Sequence, residues 1–205
     1  MKTGIFALLL SLGLVGGYAA AQGSRVAGDA LLQKYMESTF GNASPEWRAR
    51  IVPDETIAAC NTYRNAVPAG VAASIVARER ARIVFPPDGT WLGNWKDGAR
   101  IANNGQGGQF SDPAGTVSGG NCYACHQLDP AEVSFGTLGP SLKGYGRARN
   151  FEPEEAKAAF AKIYDAQSVI ACSIMPRFGA NKVLTEQQIE DVVAYLFDRD
   201  SPVNK

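Results

Sequence analysis

The pentapeptide Cys122-Tyr123-Ala124-Cys125-His126 decides how the rest of this chain is interpreted. Cysteines three residues apart share one face of a helical turn, so both thiols can add to the two vinyl groups of a single haem. The histidine that follows directly can present its imidazole to the iron from the same turn. The pattern therefore predicts one covalently bound haem c, held through Cys122 and Cys125, with His126 as an axial iron ligand.

Two other interpretations of these cysteines stay open from the sequence. A thioredoxin-like C-x-x-C lies at a junction between a strand and a helix. Here a glycine-rich stretch, residues 103–120, precedes the motif, and no alternating strand pattern is visible. A zinc site could use all four cysteines, the two of the motif together with Cys60 and Cys172. Such a site would leave the adjacent histidine without a role.

The overall composition excludes several classes of protein. The 205 residues carry 20 basic and 20 acidic side chains, so there is no basic excess of the kind that binds nucleic acid. An apolar fraction of 45% with 20% charged residues is typical of a globular chain. His126 is the single histidine, which excludes a bis-histidine haem and any metal site that needs two imidazoles.

The sixth position of a haem iron in this chain needs a donor other than histidine, or it stays open. The chain has three methionines. Met1 belongs to the leader, and Met36 lies on an amphipathic helix, where a core position is expected. Met175 precedes Pro176 between two predicted helices, and the proline favours an extended loop. Met175 is therefore predicted as the second axial ligand, and the alternative is a buried loop methionine.

A turn that follows the motif offers a partner for the histidine ring. Gly139-Pro140-Ser141-Leu142 begins 13 residues after His126. A backbone carbonyl there, that of Pro140, could accept a hydrogen bond from the second ring N–H of His126 and fix its tautomer. The alternative is an ordinary Gly-Pro turn.

The chain is expected to have three parts. A basic residue, an apolar run over residues 5–15 and three alanines are typical of a secretory signal peptide over residues 1–21. Cleavage near Ala21 would leave an exported chain in a compartment that permits disulfides. The alternative is a membrane anchor, for which the apolar run is too short to cross a bilayer. Residues 22–88 predict an N-terminal helical extension that ends at a Pro-Pro-Asp-Gly breaker. Residues 89–205 form the predicted haem domain.

Helical periodicity runs through both mature parts. Six helices are expected: one capped by Asp29, one that starts at Pro53, three over residues 68–82, 91–102 and 153–167, and one opened by a capping box of Thr185 and Gln188. Residues 103–120 are expected to form a loop. With no alternating strand pattern of useful length, the fold class is predicted to be all-α.

The two remaining cysteines are predicted to pair. In an oxidising compartment, cysteines left over from a motif most often form a disulfide. A bridge between Cys60 and Cys172 would join the N-terminal extension to the loop before Met175. The alternative is a reactive thiol, or another haem ligand, at Cys172.

Several stretches resemble a known family. Residues 90–200 resemble a class I cytochrome c, with a helix, the C-x-x-C-H motif, a G-P-x-L turn, a methionine loop and a C-terminal helix in that order. More narrowly, the chain resembles the SoxX subunits of SoxAX cytochromes. The stretches that carry this likeness are residues 171–179 (ACSIMPRFG), 184–196 (LTEQQIEDVVAYL) and 201–204 (SPVN). The glycine-rich loop before Cys122 is longer than in many class I cytochromes.

The resemblance implies a class I cytochrome c fold with an N-terminal helical extension, and a definite role. SoxX-type chains form a periplasmic heterodimer with a SoxA-type haem subunit. The complex joins thiosulfate oxidatively to a cysteine of the SoxYZ carrier, as an L-cysteine S-thiosulfotransferase. The sulfur chemistry is attributed to the partner subunit, and this chain would pass electrons to a downstream soluble cytochrome c. By matching motif positions, Cys122 and Cys125 would hold the haem, with His126 and Met175 as axial ligands.

Two other functions compete with this expectation. One is a free-standing periplasmic electron-shuttle cytochrome c with no catalytic partner, and the other is an exported binding module without haem. The extension to residue 88 favours a subunit over a shuttle, since a shuttle needs only the compact haem domain.

Overall fold

The computed structural model describes residues 30–205, apart from Phe110 and Ala114. Within that part of the chain every regular element is a helix and no strand occurs, so the predicted all-α class is confirmed. The predicted signal peptide and its cleavage site, and the helix cap at Asp29, lie outside the described residues.

The described helices follow one another with short irregular connections, except for the long glycine-rich loop. They are α1 (residues 30–40), α2 (Pro45–Ile51), α3 (Glu55–Thr62), α4 (Ala69–Arg80), α5 (Trp95–Asn103), α6 (Pro153–Tyr164) and α7 (Glu186–Phe197). Short 3-10 turns lie at Cys122–Ala124, Arg147–Arg149, Ala166–Ser168 and Pro202–Asn204. By contact, the described chain divides into two compact units, with the division between Val52 and Pro53.

Helices α5 and α7 form the main packing contact of the second unit. They approach closely because α5 has a glycine at the crossing: a Cβ on Gly98 would overlap the backbone carbonyl of Asp191 in α7. The start of α5 is tied to the same residue, since the Asn94 backbone N–H donates to Asp191 Oδ1 at 2.8 Å. Apolar side chains of α7, among them Ile189 and Val193 at 0% exposure, fill the core behind this crossing.

Side chains satisfy backbone groups at both ends of helix α7. The predicted capping box is confirmed, with Thr185 accepting from the Gln188 backbone N–H at 3.2 Å and Gln188 Oε1 accepting from the Thr185 N–H at 2.9 Å. Past the last turn, the amide of Asn204 donates to the carbonyls of Leu196 and Asp198. The same amide accepts from the backbone of Gly146, so the C-terminus is fastened to the core.

Several local expectations differ from the structure. The helix predicted from Pro53 begins at Glu55, because Asp54 caps it by accepting from the Ile57 N–H. Helix α5 begins at Trp95 instead of residue 91, because Asn94 caps it by accepting from the Lys96 N–H. Helix α6 ends at Tyr164, because Asp165 is extended and caps a separate 3-10 turn. Helix α2, which starts with Pro45 at its first position, was not predicted; proline is well tolerated there.

Helices α3 and α4 belong to the same compact unit as the haem motif. A disulfide between Cys60 of α3 and Cys172 joins them to the loop before Met175, and buried ion pairs reach the same loop from α4. The domain boundary predicted at residue 88 rests on a break in the sequence pattern. By contact, the unit that contains the haem motif begins earlier, at Pro53. Among the described residues, no helix combines the length and apolarity needed to cross a membrane.

Candidate haem-binding site

The C-x-x-C-H motif is wound into a single 3-10 turn, Cys122–Ala124. Asn121 enters the turn in the left-handed region, at φ 48°, a conformation that asparagine tolerates better than most residues. The carbonyl of Cys122 then accepts from the backbone N–H groups of Cys125 and His126, at 3.0 and 2.9 Å. This shared acceptor draws the two cysteines and the histidine onto one compact turn.

The segment over residues 136–142 runs along the motif and holds it in place. Gly136, Gly139 and Leu142 donate backbone hydrogen bonds to the carbonyls of Tyr123, Cys125 and Gln127, each at 2.8 Å. The approach is close at Gly139, where a Cβ would lie 2.5 Å from Nδ1 and 2.7 Å from Nε2 of His126. Glycine is required at this position because the imidazole ring occupies the space that a side chain would fill.

The His126 ring is held by one backbone hydrogen bond. Its Nδ1 lies 2.7 Å from the carbonyl oxygen of Pro140. A carbonyl can only accept, so Nδ1 carries the proton and Nε2 keeps its lone pair. This is the tautomer that an iron ligand needs, and the backbone bond also sets the plane of the ring.

The two thiols of the motif are free in the structure. Burial raises the pKa of the Cys122 thiol to about 12, so this thiol is neutral at physiological pH. Redox-active C-x-x-C motifs show the opposite behaviour, with a depressed thiol pKa at a helix N-terminus. The strand that would precede a thioredoxin motif is also not found in the described part of the chain.

The four-cysteine zinc alternative is inconsistent with the structure. Cys60 and Cys172 are bonded to each other, with an S–S distance of 2.06 Å, so neither has a thiolate to offer a metal. Over residues 30–205, with the two gaps noted above, no three His, Cys, Asp or Glu side chains are grouped to hold an ion.

Met175 lies on a loop that borders the same hydrophobic core as the motif. Its side chain is half-buried and packs against the core cluster, as does that of Cys122. The Met175 backbone N–H donates to Ser173 Oγ at 3.3 Å. The structure thus brings the methionine and the motif to one core, with a disulfide-bonded residue, Cys172, three positions before the methionine.

The donors and the surface around them fit a haem c. The chain supplies two free thiols on one turn and an imidazole with a free Nε2, which are the groups that thioether attachment and iron ligation require. A macrocycle with an apolar perimeter also needs apolar walls. Such side chains lie on the segment that supports His126 and on the methionine loop, with Leu138 beside Gly139 and Ile174 beside Met175, at 75% and 74% exposure.

Comparison with known proteins decides the family. The cytochrome c family matches residues 95–198, which include the motif and the methionine loop. The chain belongs to the cytochrome c family. The chain is similar to an uncharacterized lipoprotein from Aquifex aeolicus (strain VF5), with 35% identity over 209 residues that cover 98% of each chain. Membership implies a covalently bound haem c and a role in electron transfer.

The cytochrome also contains a buried ionic cluster that sequence reasoning missed. Glu79 and Asp165 are both 0% exposed, and Arg177 is 8% exposed. Arg177 lies 3.6 Å from the Glu79 carboxylate and 2.6 Å from that of Asp54, while Arg82 reaches Glu79 at 3.2 Å. Asp54, Glu79, Asp165 and Arg177 are far apart in sequence and share no motif, so only their burial in the folded chain reveals the cluster.

Asp165 is the strained member of this cluster. Its Oδ1 accepts from the Gln167 backbone N–H at 2.9 Å, but no donor reaches its buried Oδ2, and the Glu79 carboxylate lies beside it. Burial, together with the nearby Glu79 carboxylate, raises the pKa of Asp165 to about 6. An acid whose pKa is higher in the folded state contributes its full stabilisation of that state at low pH. This stabilisation is lost as the pH rises from 3.8, the ordinary pKa of an aspartate, to about 6, the pKa of Asp165 in the folded protein.

We expect Asp165→Asn to stabilise the cytochrome at neutral pH relative to the wild type, by on the order of 2 kcal/mol. The asparagine Oδ1 can still accept from Gln167, and its NH₂ places a donor where the unpaired oxygen stood. Urea unfolding at pH 4 to 8 would show the gap between variant and wild type opening as the pH rises. Asp200→Asn, at an exposed aspartate, serves as the control. Parallel pH profiles for Asp165→Asn and the wild type would contradict the prediction.

Proposed function

We propose that this cytochrome is the electron-accepting subunit of a SoxAX-type complex that conjugates thiosulfate to a carrier cysteine. The observation that carries the proposal is the likeness of residues 171–179 and 184–196 to SoxX subunits, because these stretches are the methionine loop and helix α7. The first bears the candidate sixth ligand, and the second forms the wall against which α5 packs. The likeness therefore lies in the parts that would shape the redox centre.

Each site residue has a definite task in this proposal. Cys122 and Cys125 attach the cofactor through thioethers, and His126 offers Nε2 as the proximal ligand while Pro140 accepts from Nδ1. Met175 offers its thioether as the sixth ligand. The bound haem c supplies a one-electron iron couple, and methionine ligation raises its reduction potential, which suits an electron acceptor.

The reaction of the complex requires such an acceptor. Joining thiosulfate to a cysteine thiol forms one S–S bond and releases one proton and two electrons. The proposed partners are a SoxA-type haem subunit, on which the sulfur chemistry takes place, and the SoxYZ carrier. This cytochrome would take the electrons one at a time and pass them to a downstream soluble cytochrome c.

The proposed location is the periplasm, where thioether attachment and disulfide formation both take place in exported proteins. The disulfide between Cys60 and Cys172 suits that compartment. The description of the Aquifex aeolicus relative as a lipoprotein also suits an exported protein.

Purification of the native protein from periplasm tests the proposal. We expect a stable heterodimer with a second c-type cytochrome, and thiosulfate-dependent reduction of this chain's haem when the carrier protein is added. Omitting the carrier, or blocking its cysteine by alkylation, is the control that should abolish the reduction. A monomer that carries haem c but shows no thiosulfate-dependent reduction would favour the free-standing shuttle instead.

A further inference from the structure

The methionine loop is anchored on its N-terminal side to helix α3. Cys172, three residues before Met175, is bonded to Cys60 of that helix, and both cysteines are buried. Cys172 has a left-handed backbone, at φ 59°, and its N–H donates to Gln167 Oε1 at 3.2 Å. The chain therefore enters the loop from a covalently held position.

The same loop is anchored on its C-terminal side by Arg177, two residues after Met175. The Arg177 side chain is 9% exposed and reaches Asp54 through Nη2 at 2.6 Å. Its Nη1 lies 3.6 Å from Glu79 Oε2. Asp54 caps helix α3 and Glu79 belongs to helix α4. Both ends of the loop are thus fastened to one pair of helices.

The two carboxylates that receive Arg177 are themselves held firmly. Asp54 Oδ1 accepts from the Ile57 backbone N–H at 2.8 Å, which leaves Oδ2 for the guanidinium. Glu79 accepts from Thr56 and also faces Arg78 and Arg82. Because each carboxylate is also held by groups outside the loop, it would stay in place if the loop moved. Arg177 is therefore bound to a rigid pair of acceptors.

The guanidinium depends on this pair because it is buried. Removing one partner of a buried ion pair leaves an uncompensated charge, which is strongly destabilising. Two other charged groups lie near Arg177. Asp165 faces it from the turn after α6, and the guanidinium of Arg82 lies near the same carboxylates. With Arg82 also on Glu79, two carboxylates and two guanidinium groups balance in charge, and this balance exists only when the loop brings Arg177 into place.

We propose that Arg177, received by Asp54 and Glu79, is a positioning residue for Met175, and that helices α3 and α4 form a brace that sets the sixth ligand. The inference rests on the proposed ligation by Met175. It assigns the segment before the family match, which begins at residue 95, a task at the redox centre. In this arrangement the disulfide and the ion pairs hold residues 172 and 177, and the methionine between them has little freedom to leave the iron.

Asp54→Asn gives the sharpest test in the holoprotein. Asparagine caps a helix as well as aspartate does, so α3 keeps its cap while Arg177 loses a charged partner. We expect amide hydrogen exchange of a peptide spanning residues 172–178 to rise about tenfold, and about a hundredfold in Arg177→Met. Arg100→Met, which removes only an exposed ion pair to Asp97, is the matched control and should leave this peptide unchanged.

Carbon monoxide binding tests the sixth ligand directly, since carbon monoxide binds ferrous haem when the sixth position of the iron is open. We expect Asp54→Asn and Arg177→Met to keep the covalent haem by mass and to bind carbon monoxide to a larger extent than wild type and Arg100→Met. Unchanged exchange in residues 172–178 would overturn the brace. Faster exchange with unchanged carbon monoxide binding would overturn its role at the ligand. If the Arg177→Met protein does not fold and accumulate, the two measurements on Asp54→Asn alone decide between these outcomes.

Met175→Ala separates this inference from the proposal on which it rests. If Met175 is the ligand, the variant loses the weak sulfur-to-iron absorption band of the ferric protein and binds carbon monoxide fully. A variant that keeps the wild-type band and carbon monoxide behaviour would refute ligation by Met175. The hydrogen exchange of Asp54→Asn would still report on the brace by itself.

Discussion

Replacing both Cys60 and Cys172 by alanine is expected to lower the free energy of unfolding by about 4 to 5 kcal/mol. The bridge joins positions separated by 112 residues, and cross-linking so long a loop removes much of the conformational entropy of the unfolded chain. Many domains have a total stability of only about 5 to 15 kcal/mol. The double variant should therefore be close to unfolding at moderate temperature, as measured by urea denaturation of the holoprotein.

A reductant provides the control for this comparison. When the bridge of the wild type is opened chemically, its unfolding midpoint should fall close to that of the double variant, because alanine removes little else at either position. The double replacement also avoids a lone thiol that could pair wrongly with Cys122 or Cys125. A loss of less than about 1 kcal/mol under non-reducing conditions would contradict the chain-entropy account.

Gly139→Ala is expected to have the second large effect, a drop of about tenfold or more in the fraction of chains that carry haem. The backbone of Gly139 does not lie in the left-handed region, so the conformation itself accepts alanine. The methyl group has no room, because it would lie 2.5 Å from Nδ1 of His126. The ring must move, and its hydrogen bond to the Pro140 carbonyl is lost. Haem content per chain, by pyridine haemochrome absorbance and intact mass, measures the effect.

Gly70→Ala is the matched control for that substitution. Gly70 lies in helix α4, and a Cβ there would have nothing within 4 Å. Alanine is favoured over glycine inside a helix by roughly 0.5 to 1 kcal/mol. We therefore expect Gly70→Ala to keep full haem content and to gain slightly in stability. A Gly139→Ala protein with wild-type haem content would show that the histidine tolerates displacement.

Local features of this fold were predictable wherever the determining residues are close in sequence. The capping box of α7 needs only Thr185 and Gln188 on one turn, and the structure contains it as predicted. The haem motif is also local, and the family match agrees with it. Helix limits were less accurate where one capping residue decides them: Asn94 delays the start of α5, and Asp165 ends α6 early.

Features that join distant segments were harder to predict. The cysteine pair was inferred from the compartment alone, and the structure contains the bridge. The approach of Gly139 to the His126 ring depends on how residues 136–142 fold back over the motif. Nothing in the sequence around Glu79 or Arg177 indicates that their side chains meet. Charged residues in a helix and a loop are usually exposed, so their burial is the unexpected observation.

The sequence by itself determined the chemistry of this cytochrome: two thiols and an imidazole within five residues, and a single histidine that leaves methionine as the candidate sixth ligand. Only the tertiary structure decided how those groups are held. It set the tautomer of His126 through Pro140, and it fastened the loop of Met175 to helices α3 and α4 through Cys172 and Arg177. The reason is physical. Bond-forming capacity belongs to each side chain, whereas orientation and burial arise from segments that meet only when the chain folds.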